Sequence, residues 1–151
     1  MKDIARYLGI DSRTQLLAEQ LWRLLEGPSR EVIATFYRDT RQSSIGVLFD
    51  EPAIGRLQIK QKEHWRALFN DRFDERYQRS ATLIAIKHQE LGLDPKWYIA
   101  GYTLMKLRFA ESLRKMALPA ESMEALITTL EKYVALDMAL SLSIYSSWLL
   151  D

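Results

Sequence analysis

An all-α fold in one domain of six or seven helices follows from three features of this chain. Every long apolar segment repeats at three- and four-residue spacing rather than alternating, which is the period of a helix that buries one face. Helix breakers fall at the ends of these segments, and six Gly and four Pro are too few for a loop-rich β-fold or a disordered tail. A hydrophobic content of 48% beside 27% charged residues is enough for one sizeable core in 151 residues.

Residues 1–11 read as a short N-terminal extension of a domain covering 1–151. A first helix is predicted from Ser12 to Leu25, with Leu16, Leu17, Leu21, Leu24 and Leu25 on one side. Gly27 and Pro28 end it, and Pro28 starts a second helix to about Arg41 that turns Val32, Ile33, Phe36 and Tyr37 inward. The irregular piece QSSIGVLFDEP leads to a third helix, Pro52 to Asn70. Asp74 is the expected N-cap of the helix carrying His88, and Gly92 its terminator. Asp94 and Pro95 open a helix that bears Trp97, Tyr98, Gly101, Tyr102, Met105 and Phe109 and runs to about Met116. Pro119 opens the last helix, about 48 Å long to Leu150 at 1.5 Å per residue. No repeat, low-complexity tract or linker interrupts the series.

Charge and composition narrow the function. Lys and Arg number 21 against 20 Asp and Glu, so there is no electrostatic footprint for nucleic acid. With no cysteine the chain can form no disulfide, thiolate metal site or cysteine nucleophile, and this fits a reducing compartment. The N-terminus lacks an apolar signal core and no stretch reaches the ~20 apolar residues of a membrane span, so a cytoplasmic location is expected.

Histidine occurs only at 64 and 88. Counting at helical spacing from His88 reaches Ala81, Ile84, Ala85 and Leu91, which sets the imidazole on a stripe of small and apolar side chains. No HExxH or paired ExxH pattern exists for zinc or di-iron coordination. Single-histidine ligation, as of a haem whose porphyrin supplies four nitrogens, remains open. By itself a lone histidine is more often a core or surface residue than a ligand.

The segment IAIKHQELGLDPKWYIAGY resembles the signature of the globin-coupled sensors, bacterial haem globins in which a proximal histidine precedes a WY-containing turn. RLQIKQKEHWRALF, FDERYQRS, the pair Phe36-Tyr37 and LDMALSLSIY resemble the family too, in the right order, over roughly Phe36 to Trp148. The resemblance implies a globin fold and haem b, held noncovalently since no Cys-x-x-Cys-His occurs. It implies His88 as the iron ligand, and Tyr98, ten positions on, as a tyrosine hydrogen-bonded to that imidazole. It implies Tyr37 as a distal donor to dioxygen, which carries more partial negative charge than carbon monoxide. Read without the family, Tyr37 and Tyr98 are aromatics on inner helix faces.

On the third helix Ile54, Leu57, Gln61, Trp65 and Leu68 share a face, with Gln58 at its edge. Leu57 and Gln61 are the candidates to approach a gas ligand. Lys60 is expected to snorkel toward propionates or solvent. His64 is expected in a packing or surface role; a distal histidine is the alternative.

The expected function is an oxygen-sensing haem domain that also takes carbon monoxide and nitric oxide. Its expected output is a diguanylate cyclase, absent from this chain since no GGDEF-like sequence occurs; a chemotaxis transducer or histidine kinase comes next. On this reading the chain itself is no enzyme. A stand-alone globin for oxygen binding or nitric oxide and redox chemistry is the alternative, and a cofactor-free helical interaction module the third reading. Apolar residues on more than one stripe of the last helix, Leu130, Val134, Leu140, Leu142, Ile144, Trp148 and Leu149 among them, suggest a homodimer through the last two helices or, alternatively, cover for the first helix.

Overall fold

The computed structural model describes the backbone of residues 1–150 and the side chains of residues 1–144. Among these residues lie six α-helices: α1 (Lys2–Tyr7), α2 (Ser12–Gln42), α3 (Glu51–Asn70), α4 (Glu75–Glu90), α5 (Pro95–Arg114) and α6 (Ala120–Leu150), with a 3-10 turn at Gly46–Leu48 between α2 and α3. Aspartate starts four of them. Asp11, Asp50, Asp74 and Asp94 each accept a backbone N–H of the following first turn, at 2.8 to 3.0 Å, which satisfies a donor that has no partner within the helix. Gly92, at φ +72°, follows α4 in the left-handed conformation that glycine adopts without a Cβ clash.

The break expected at Gly27-Pro28 does not occur, and α2 runs through it as one helix of 31 residues. Pro28 lacks the N–H that would reach the carbonyl four residues back, which disfavours it in a helix interior by ~3 kcal/mol. Burial outweighs that. Ala18, Leu21, Trp22, Leu25, Ser29, Val32 and Ile33 keep one helical phase across the proline and all face the core, and each large apolar side chain buried is worth ~1.5–3 kcal/mol. The Ser29 hydroxyl also donates to the Glu26 carbonyl at 2.6 Å, in the turn that holds the proline. Leu16, expected on the inner stripe, is 58% exposed, since Ala18 and Trp22 take the inward positions.

Residues 1–11 are more than an extension. α1 packs Met1, Ala5 and Leu8 against the core, Ile10 is buried in it, and the Lys132 ammonium of α6 donates to the Gly9 carbonyl at 3.2 Å.

α2 packs along α3, α5 and α6, while α4 and α5 lie against α6; α3 and α4 touch only sparsely. The centre is filled by Leu25, Ile33, Phe69, Phe109, Leu113 and Leu130. Between α3 and α4, Arg72 and Phe73 hold φ of 50° and 57°, a left-handed conformation that costs ~1–2 kcal/mol per residue. The Phe73 ring offsets this by packing on Tyr77 and Tyr133, at 5.9 and 5.2 Å between centroids. The turn thereby anchors Tyr77 at the start of α4.

Of the apolar surplus expected on the last helix, Leu130 and Val134 are buried in the chain's own core and Leu140 packs against it. Leu142 and Ile144 are half-buried, and the side chains of Trp148 and Leu149 lie outside the described residues. No helix among the described residues is long and apolar enough to cross a membrane.

Candidate functional site

His88 sits in the last turn of α4, above Ala81 and Ala85, which are buried, and beside the half-buried Ile84. Leu91, expected on the same stripe, is 45% exposed because α4 has ended one residue earlier. The imidazole is half-buried, and its Nδ1 is buried without a hydrogen-bond partner. Burial, with a smaller contribution from the charge of His64, pushes its pKa down to about 4. At neutral pH His88 is therefore an uncharged imidazole with a lone pair available to a Lewis acid.

Tyr98, in the first turns of α5, stands edge-on to His88 with ring centroids 5.3 Å apart and planes at 86°. Its hydroxyl donates to the Ala85 carbonyl at 3.2 Å, and it makes no hydrogen bond to Nδ1 of His88. The hydrogen bond expected between the two rings is replaced by an edge contact, because the buried phenol reaches the carbonyl three residues before the histidine. Ring orientation is restrained all the same, by packing rather than by a donor.

A second group forms where α2 crosses α3. Tyr37 is 4% exposed, with Phe36 and Phe49 edge-on at 5.3 and 6.2 Å. Burial pushes its phenol up to about 12, partly countered by the Gln61 amide beside it, so at neutral pH Tyr37 keeps its proton and is a donor. The Gln61 carbonyl oxygen accepts the Trp65 indole N–H at 2.8 Å, which turns its NH₂ toward the phenol. Leu57 lies one turn before Gln61 and packs half-buried against the core. An open groove of about 610 Å³ leads to Tyr37 between α2 and α3, along Ala34, Arg38, Ile54, Gly55 and Gln58. Lys60 is exposed.

A third, polar cluster joins α3, α4, α5 and α6, and sequence reasoning missed it. Asp137 of α6 is fully buried. One of its oxygens takes the Nε2–H of His64 at 2.7 Å and the Tyr102 hydroxyl at 2.8 Å; the other takes the Tyr77 hydroxyl. The Tyr102 oxygen also meets the Ser141 hydroxyl at 3.0 Å. His64, 7% exposed, takes the packing role rather than the surface one: its ring lies stacked on Tyr77 and edge-on to Trp65. A signal was there to read, since Asp137 follows Leu130, Tyr133 and Val134 at helical spacing and so shares their buried face.

His64 and Asp137 each favour the other's charged form. Burial opposes charge on both groups, but the attraction between them and the hydrogen bonds outweigh it, holding the His64 pKa above and the Asp137 pKa below their ordinary values. The Asp137 contribution to stability is present above pH ~3.8 and lost as pH falls through its lower folded value. That of His64 is present below pH ~6.5 and lost as pH rises through its higher folded value. Urea midpoints measured against pH should therefore fall on the alkaline side of 6.5, and Asp137→Asn should flatten that limb. A limb identical in both proteins would show that His64 is uncharged.

A helical chain with a long α2 packed along α3, one half-buried histidine at the end of α4 and a buried tyrosine on α2 is consistent with a globin. The protoglobin family matches residues 1–149, and the chain belongs to that family. The fold is similar to the globin domain of the Geobacter sulfurreducens globin-coupled sensor, with a TM-score of 0.85 at 16% identity, over 96% of this chain and 97% of that one.

Proposed function

We propose that this chain is a haem-based gas-sensing globin domain with dioxygen as its ligand. The observation that carries the reading is the His88 imidazole, neutral at pH 7, half-buried over small residues, with a buried nitrogen that no protein group occupies. These residues fit haem b. The group would supply an iron with one position open to a diatomic gas, and without cysteine the chain would hold it noncovalently.

His88 would be the single protein ligand, and Tyr98 would restrain the imidazole ring from behind. Tyr37 would hold its proton toward the gas and favour dioxygen over carbon monoxide, whose oxygen carries less negative charge. Gln61, itself held by Trp65, would orient the phenol, and Leu57 would exclude water beside it. Nitric oxide and carbon monoxide are the other diatomic ligands of such a site.

The output proposed for this sensor is a diguanylate cyclase, the chain itself being non-catalytic, in a cytoplasmic protein. A homodimer through α5 and α6 would carry the signal. Leu107 on α5, 50% exposed, and the half-buried Leu142 and Ile144 on α6 are the apolar residues such a contact would cover.

One preparation tests the reading. The purified protein should show a Soret band that shifts on reduction and again with oxygen or carbon monoxide, and light scattering at micromolar concentration should give twice the chain mass. No spectral change after haem addition would remove the sensor, and a strict monomer would remove the dimer.

A further inference from the structure

Three of the four helices that carry candidate gas-site residues are tied to the same carboxylate, α2 with Tyr37 being the exception. α3, with Leu57 and Gln61, reaches Asp137 through His64; α4, with His88, reaches it through Tyr77; α5, with Tyr98, reaches it through Tyr102. The links are short in sequence. Gln61 bonds Trp65, next to His64, and Tyr102 follows Tyr98 by one helical turn. Asp137 itself lies on α6, with Ser141 one turn further along it.

The surrounding contacts are of another kind. Leu68, Leu113 and Leu130 are held by apolar burial, which follows area rather than the alignment of atoms and can yield more readily. Hydrogen bonds to a buried carboxylate cannot. They weaken steeply beyond ~3.2 Å, and a donor or acceptor left unpaired in the core is strongly disfavoured. A displacement of about 1 Å between α6 and any one of the other three helices must therefore break a bond to Asp137 or carry α6 along with it.

We propose that Asp137 is a positioning residue which couples the gas-binding side of the fold to α6, through His64, Tyr77 and Tyr102. It touches no ligand and acts only through the three helices it holds. A buried apolar cluster of the same volume would stabilise the fold as well or better, so stability alone gives no reason for an ion pair at this point. Directional linkage of four helices does. The inference rests on the proposed gas-binding site.

Hydrogen exchange of the full chain tests it, with the ferrous protein compared with and without carbon monoxide. In the wild type, exchange over residues 133–144 of α6 should change on carbon monoxide binding. Tyr102→Phe removes one oxygen and keeps the ring, so the fold persists. It should bind carbon monoxide with an unchanged spectrum while the α6 change shrinks by about threefold or more. Asp137→Asn should do the same. Thr129→Ala is the control: it removes a buried hydroxyl of α6 that bonds only the Ala125 carbonyl of its own helix, at 2.7 Å, and should keep the full response. A full response in Tyr102→Phe, an equal loss in Thr129→Ala, or no α6 change in a wild type that binds carbon monoxide would overturn the coupling.

A wild type that binds no haem would instead refute the gas site, and the positioning role is then read in the haem-free chain. There Tyr102→Phe should speed exchange by about threefold in α3 and α4 as well as α5 and α6. Acceleration confined to α5 would show that Asp137 does not link the helices.

Discussion

His88→Ala should abolish stable haem incorporation, or leave a form whose spectrum returns only when imidazole is added. The expectation is large because the site is built on one side chain: the only other histidine, His64, has its Nε2 bound to Asp137, and the chain has no cysteine. A porphyrin whose iron has lost its protein ligand is held only by burial of its apolar surface. Added imidazole would fit the space over Ala81 and Ala85 and restore the donor. The fold itself should survive the substitution, since Nδ1 of His88 makes no hydrogen bond and the ring is only half-buried. Far-ultraviolet circular dichroism should thus be unchanged while the Soret absorbance falls. Full haem occupancy with the wild-type ferrous spectrum would refute His88 as the ligand.

Tyr37→Phe should speed dioxygen release by roughly 5- to 100-fold, the kinetic equivalent of a hydrogen bond worth ~1 to 3 kcal/mol to a partly charged acceptor. The phenol is suited to that role by its burial, which pushes its pKa to about 12 and keeps the proton in place at neutral pH. Phenylalanine preserves the edge contacts with Phe36 and Phe49, so the change isolates the hydroxyl. Carbon monoxide release should change far less. Stopped-flow release of both gases from the same variant is the measurement. Equal acceleration of the two would make Tyr37 a gate rather than a donor, and no effect on dioxygen would leave it a packing residue.

Much of this was legible in the order of the residues. Helix period, the Asp74 cap, the Gly92 stop and the Asp94-Pro95 start are local properties, set within one or two turns of chain, and they are found as expected. His88 stood out for the same reason: its apolar face can be counted along one helix, and the GLDPKWY continuation is contiguous with it. The positions of Tyr37, Leu57 and Gln61 on inward faces follow from the same counting.

Partnership between helices is another matter. Periodicity states which face a residue is on and leaves open what it meets there. Pro28 reads as a break on propensity, yet α2 continues through it, because the buried stripe keeps its phase and its burial exceeds the local penalty. Tyr98 was expected to bond His88, but its hydroxyl reaches the Ala85 carbonyl instead. Leu130 and Val134 could have faced a second chain and instead fill this one. Asp137 and His64 are 73 residues apart, and nothing local to either names the other. Sequence alone determined most helix boundaries and inward faces and singled out His88 as the candidate ligand, since each depends on neighbours within a few turns. Only the tertiary structure decided which inward groups meet, because a hydrogen bond or an ion pair between helices depends on crossing geometry that no single segment contains.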